Sequence, residues 1–147
     1  MKFLFTLLTV FVFTSSSLVQ TTTPNNDCTG QGLYCSCNTI CDDDLEASCS
    51  FDITCSCSCR GEGVKTQHAK VTMTDTQREN SKEAEEYFRT QGLKDIADGL
   101  LELRGLIDSK DYEVYHSEAA YLRGLYTTLS QSEKDAYEDW VSTSLRN

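Results

Sequence analysis

The stretch that decides the fold is "CSFDITCSCSCR", residues 49–60. Cys49, Phe51, Ile53, Cys55, Cys57 and Cys59 take the odd positions, and Asp52, Thr54, Ser56 and Ser58 the even ones. Apolar side chains at period two are the pattern of a strand with one covered face. Here most of that face is sulfur, which fits either a disulfide-linked core or a row of soft-metal ligands. Working outward, "LYCSC" at 33–37 repeats the alternation, with Leu33, Cys35 and Cys37 on one side. Neighbours in Cys-x-Cys point the same way on a strand, so Cys35/Cys37 and Cys55/Cys57 are expected on facing segments.

The compartment decides between the two meanings of sulfur. The chain opens with Met1 and Lys2, then "FLFTLLTVFVF" at 3–13, then the small polar run "TSSS". A basic start, a short apolar stretch and small residues behind it make a secretory leader over 1–17, with Ser15 and Ser17 as the small pair before the cut. The run is shorter than the roughly 20 residues a membrane span requires. No hydrophobic tail marks a lipid anchor. The mature chain is therefore expected to be secreted, extracellular and not inserted in a membrane. Cysteines pair in that oxidising setting.

All of them, Cys28, Cys35, Cys37, Cys41, Cys49, Cys55, Cys57 and Cys59, fall within 28–60, and none follows. An even, clustered set implies up to four disulfides, in a pairing that spacing alone leaves open. So short a module cannot hold itself together by apolar burial, and crosslinks must supply the difference. The metal reading needs a flexible thiolate loop. Tyr34 and Phe51 argue against it, as does the lack of histidine in the module. Between the strand-like pieces, Asp42, Asp43, Asp44 and Glu46 crowd "CDDDLEASC" at 41–49. A calcium loop spaces its ligands around a glycine, whereas these acids are contiguous, so a solvated loop is expected. No metal and no cofactor follow from these residues.

The character changes at residue 61. "GEGVKTQHAKVTMT" at 61–74 has no clear period and reads as a linker. Helical patterns follow. "TDTQRENSKEAEEYFRTQG" at 74–92 offers Thr76 and Glu79 as a capping box and Gly92 as a stop. Its only apolar residues are Ala84, Tyr87 and Phe88, so this helix should be thinly anchored. Over 93–107, Leu93, Ile96, Ala97, Leu100, Leu103 and Ile107 recur at three-four spacing. Gly99 and Gly105 weaken that helix unless something packs close against them. Over 111–129, Tyr112, Tyr115, Ala119, Leu122, Tyr126 and Leu129 form one strip, and Val114, Tyr121 and Leu125 a second. "SKD" at 109–111 is a short polar turn, so these two helices should pair antiparallel. "SQSE" at 130–133 caps a fourth helix with Tyr137, Trp140, Val141 and Leu145 facing inward.

The expected fold class is α+β, a small disulfide-rich β module followed by a bundle of three to four short helices. The expected divisions are a leader at 1–17, a linker at 18–27, the cysteine module at 28–60, a linker at 61–74 and a helical domain at 75–147. That last unit is expected to fold alone, because no cysteine ties it to the module. Six of the seven tyrosines lie in it, where they either rim a small core or face a partner. Val114, Tyr121 and Leu125 exceed what one neighbouring helix would cover, and are the candidate interface.

Catalysis finds no motif. His68 sits in the linker and His116 beside Tyr115 on the third helix, and neither carries the base-and-orienter context a hydrolase needs. No zinc-protease helix, phosphate loop or dinucleotide glycine pattern occurs. The net charge of −10 repels nucleic acid and anionic membranes. The expectation is a non-enzymatic extracellular protein-binding module of the effector, venom-component or modulator kind, with an unknown protein partner and self-association possible. The competing readings are a secreted metal-binding protein using the Cys-x-Cys runs, or a small lipophile carrier using the helical domain.

Overall fold

A computed structural model describes residues 26–145. The expected leader, and all but two residues of the first expected linker, lie outside them. The fold is α+β, with small antiparallel sheets followed by four helices, as the sequence patterns imply.

β1 (Asp27–Gln31) and β2 (Ser36–Ile40) form one antiparallel hairpin, with Gly30 opposite Cys37. β3 (Glu46–Phe51) and β4 (Cys55–Arg60) form a second, with Cys49 opposite Cys57 and Phe51 opposite Cys55. The alternation over 49–60 is thus two strands and a turn, not a single strand. The turn has a local cause: the Asp52 carboxylate accepts hydrogen bonds from the Thr54 N–H at 3.0 Å and the Thr54 hydroxyl at 3.4 Å. Opposite residues of an antiparallel pair share a face. The odd residues therefore stay on one side through the reversal.

The hairpins stack, β1 on β3 and β2 on β4. Four disulfides cross between them: Cys28–Cys49, Cys35–Cys55, Cys37–Cys57 and Cys41–Cys59. In chain order each of the first four cysteines pairs with the same-ranked one of the last four, at separations of 21, 20, 20 and 18 residues. The second hairpin is a displaced repeat of the first, and cystine fills the layer where a larger sandwich would place apolar side chains. Each bridge contributes about 2–4 kcal/mol. The sulfurs of Cys49 and Cys57, cross-strand neighbours with Cα atoms 4.1 Å apart, also touch. The acids Asp42, Asp43 and Asp44 are exposed between the hairpins, and Leu45 behind them is buried.

Residues 61–74, read from composition as a linker, carry two short strands. β5 (Gln67–His68) extends the second sheet beside β4, and β6 (Val71–Thr72) extends the first beside β2. Between them the Ala69 N–H donates to the Cys57 carbonyl at 2.9 Å. Two-residue strands are too short to show a period, so no sequence pattern marks this strap.

The helices are α1 (Asp75–Thr90), α2 (Lys94–Ser109), α3 (Tyr112–Thr128) and α4 (Gln131–Ser144). Ser130 and Glu133 form the expected capping box on α4. On α1 the box is Thr74 with Gln77, two residues before the expected Thr76 and Glu79. Gln77 explains the shift. Its Oε1 accepts from the Thr74 N–H at 3.0 Å, while its Nε2 donates to the Gly32 carbonyl at 3.0 Å and to Ser36 Oγ at 2.8 Å. Gly92, at φ +78°, ends α1 in the left-handed region. Gly99 lets α2 and α3 approach closely, since a Cβ there would lie 2.8 Å from Leu122 Cδ1. Gly105 meets nothing within 4 Å and has no such role.

One buried cluster runs from Tyr34, Ile53 and Val71 in the β module through Phe88, Leu100, Tyr115 and Leu122 to Tyr137 and Val141. α1 is better anchored than its composition implies, because Gln77, Ser81, Ala84 and Phe88 are all buried. Asn80 adds a hydrogen bond from its Nδ2 to the Leu33 carbonyl at 3.0 Å. The helices thus share a core and polar contacts with the module that their linker composition does not reveal. A fragment of residues 75–147 loses all of these. Expressed alone, it is expected to show helical circular dichroism without a cooperative melt, while the oxidised full chain melts in one transition. A cooperative melt of the fragment would show that the helices hold a core of their own.

Candidate functional site

The structure divides the candidate interface strip. Val114 and Tyr121 are exposed, at 42% and 60% of their possible area. Leu125 is partly buried against the core, beside Leu93, Ile96 and Leu129 in a hollow between the α2 start and the α3 end.

A larger concavity than that hollow lies where the β module meets the helices. It is a groove of about 910 Å³. One wall is Leu33 from the β1–β2 turn and Phe51 and Ile53 from the β3–β4 turn, and the other is Tyr126, Tyr137 and Val141 from α3 and α4. Phe51 is seated by Gly30, where a Cβ would come within 2.4 Å of the ring. Tyr137 is seated by Tyr34, the two hydroxyls sharing a hydrogen bond. Burial pushes the Tyr34 hydroxyl up to about 12 and raises Tyr137 as well, so both stay neutral at physiological pH. The Tyr126 ring meets Tyr137 edge-on at 5.7 Å. Asp52, Glu138 and Asp139 stand around this apolar floor, and among the described residues no Lys, Arg or His lines the groove. None of these three carboxylates joins an ion pair among the described residues. The groove can therefore hold an apolar body and attract positive charge, but no described cation of the chain competes for that charge.

The two histidines, dispersed in the sequence, stack on each other with ring centroids 4.5 Å apart. His116 is buried, and its Nε2 lies 2.8 Å from the Ala69 carbonyl, which can only accept. Nε2 therefore carries the proton. Nδ1 is left to accept from Ser56 Oγ at 3.4 Å. The ring joins α3 to β4 and to the strap between β5 and β6. Its neighbours are His68, Tyr115 and Arg123.

Arg104, buried on α2, is the charged residue the sequence does not single out. It donates to Ser81 through Nη1, at 3.1 Å to the carbonyl and 3.0 Å to Oγ, and pairs with Glu85 through Nη2. Burial by itself would raise the Glu85 carboxyl, but hydrogen bonds from Arg104 and Arg89 hold it below the usual range. Every partner lies on α1, so this network clamps α1 to α2 and is structural. Ser81 and Glu85 are spaced i, i+4, which is the only sequence trace of it.

Two expectations follow. Burial, opposed by the Ala69 hydrogen bond and helped by His68 and Arg123, lowers the His116 pKa. An unfolded histidine titrates near pH 6.5. Between that value and the depressed folded one the unfolded chain binds more protons, so stability rises with pH. The contribution is complete above about pH 6.5 and is lost as pH falls through the folded value. The melting temperature should therefore drop between about pH 7 and pH 5.5. His116→Gln, which keeps a donor toward Ala69 and cannot charge, should flatten that slope, and an unchanged slope would show that another group carries it. On α3, Leu122→Ala should cost about 2–5 kcal/mol in chemical denaturation through a cavity. Tyr121→Ala, on the exposed side, should cost less than about 0.5 kcal/mol.

Among the described residues no helix is long and apolar enough to cross a membrane. Compared with known proteins, the chain matches no family model, no curated protein and no solved structure.

Proposed function

We propose that this is a secreted, non-catalytic binding module, and that the groove between the cystine hairpins and α3–α4 takes a basic, partly apolar segment of another extracellular protein. The observation that carries this reading is the groove itself. Its floor is aromatic and aliphatic, and among the described residues three carboxylates outside any ion pair border it and no cation lines it. Concave sites of this composition suit ligands with an apolar face and a few fixed polar contacts. The net charge of −10 steers a basic partner toward the surface and repels acidic ones. The disulfides and the expected leader support the extracellular setting. The walls are preorganised by covalent bonds on one side and by packed rings on the other, which lowers the ordering cost of binding.

The competing readings draw less support. A lipophile carrier needs a chamber, and the enclosed space between the module and α1–α3 is about 10 Å³, roughly one water. Metal binding has one observation in its favour: the sulfurs of Cys28, Cys49 and Cys57 lie within 4.8 Å of one another. All three are in disulfides, so that site would require reduction first. The absence of free thiol in the denatured native protein would exclude it.

The test of the groove uses the mature oxidised protein and a short peptide of alternating lysine and leucine, by titration calorimetry. Saturable binding is expected. Ser142→Phe adds a ring from an exposed α4 position that lines the groove and should weaken binding at least about tenfold with an unchanged melting temperature. A wild-type protein that does not bind the peptide, or a Ser142→Phe protein that binds it equally well, would remove the groove as the site.

A further inference from the structure

We propose that a second hollow, on the other flank of α4, clasps an arginine side chain of the same basic partner. This inference rests on the groove reading and adds a specific residue type to it. The hollow measures about 280 Å³ and lies between α1 and α4, lined by Glu83, Glu86, Tyr87, Thr90, Trp140 and Ser144. Glu83, Glu86, Tyr87 and Thr90 recur at three-four spacing and so share one face of α1.

Ring contacts link the two concavities through Tyr137, which is itself buried. Tyr137, which lines the groove, stacks on Trp140 at 5.9 Å and 24°. Trp140 in turn stacks on Tyr87 at 4.7 Å and 23°. A ligand seated against Tyr126 in the groove therefore lies across α4 from the partly exposed rings of Trp140 and Tyr87.

Charge follows the rings. Glu83 and Glu86 join no ion pair among the described residues, although their neighbours on α1 do: Glu79 pairs with Lys82, and Glu85 with Arg89 and Arg104. Among the described residues no Lys, Arg or His lines this hollow either. Two uncompensated carboxylates beside a stacked Tyr–Trp pair present negative potential along a π surface.

The cation best matched to that combination is a guanidinium. It is planar and weakly hydrated, so it can lie against an aromatic ring while its N–H fork meets carboxylates. A lysine ammonium keeps its hydration more strongly and offers no flat face. The hollow is open and shallow, which suits one side chain delivered by a segment already seated in the groove rather than a free small molecule.

Trp140 is the only tryptophan of the chain, so its emission reports the hollow directly. The mature oxidised protein is titrated with three peptides of one length, in which leucine alternates with arginine, lysine or the neutral isostere citrulline. The arginine peptide should bind about tenfold tighter than the lysine peptide and shift Trp140 emission saturably. The citrulline peptide should lose that advantage. Glu83→Gln/Glu86→Gln, at exposed positions, should bring arginine binding down to the lysine level. Asp42→Asn/Asp43→Asn, the same charge change in the distant loop, should leave it unaltered. Equal binding of the arginine and lysine peptides, or an arginine preference that survives Glu83→Gln/Glu86→Gln, overturns the clasp. If lysine-peptide binding stays sensitive to Ser142→Phe in that case, the groove reading stands without it. Failure of the wild-type protein to bind any of the peptides defeats both.

Discussion

The order-preserving ladder of disulfides is the constraint on which the rest of the structure depends. Two hairpins of five- and six-residue strands would be marginal in water without further packing. Stacked hairpin on hairpin, their facing layer is cystine, and cystine needs no large side chains to fill it. Pairing each cysteine with its same-ranked counterpart sets β1 over β3 and β2 over β4 in a single register. A crossed pairing would force the hairpins to turn relative to one another and would separate their turns. The stabilisation acts largely on the unfolded chain, which the bridges deprive of conformations.

Cys35–Cys55 has a second consequence. Cys35 follows the 32–34 turn and Cys55 follows the 52–54 turn, so one bond clamps both turns side by side. α3 docks on that same bond. The Cys55 N–H donates to the Tyr115 hydroxyl at 3.3 Å, and Cys35 Sγ lies 3.6 Å from it. Burial raises this hydroxyl to about 12, and it is a neutral partner throughout the physiological range. α1 reaches the first turn through Gln77 and Asn80, and α4 reaches it through Tyr137. A few buried polar contacts thus fix the angle between sheet and bundle, while the shared apolar cluster supplies most of the burial.

What the sequence disclosed followed from periodicity. The helices, the α2–α3 turn, the α4 cap and the inward stripes of α2 and α3 repeat at a spacing long enough to read, and the structure places them there. The facing of Cys35/Cys37 with Cys55/Cys57 was legible from Cys-x-Cys geometry. The rest depended on contacts between distant segments. The α1 cap moved to Thr74 and Gln77 because Gln77 also answers Gly32 and Ser36 in another part of the chain. β5 and β6 exist only because their backbones find β4 and β2. The recurrence of "CSC" at 35–37 and 55–57 carries a further signal, an offset of 20 that equals the separation of Cys35–Cys55 and Cys37–Cys57. The groove had no such trace. Its walls combine two turns with the ends of two helices, and no window of sequence contains them together.

The distribution of charge separates the parts of the surface that fold the chain from those left over. Most ion pairs among the described residues lie on the helices: Arg78 with Asp108, Arg89 with Glu85 and Asp98, Arg104 with Glu85. All of these but Arg89–Glu85, which lies within α1, join α1 to α2, and the partly buried Arg104–Glu85 pair would be costly to break on one side. The exposed ones contribute little individually. Along the aromatic series from Tyr126 to Tyr87 the arrangement is the reverse, with carboxylates and, among the described residues, no base lining either hollow. Apart from the turn contacts that Asp52 accepts from Thr54, those carboxylates gain no ion pair among the described residues and repel one another, which weakens the fold slightly. The same rings, had they served only as core, could have been ringed by mixed charges as the α1–α2 seam is. A surface that forgoes such pairs beside partly exposed rings leaves its electrostatic complement to be supplied from outside the described residues.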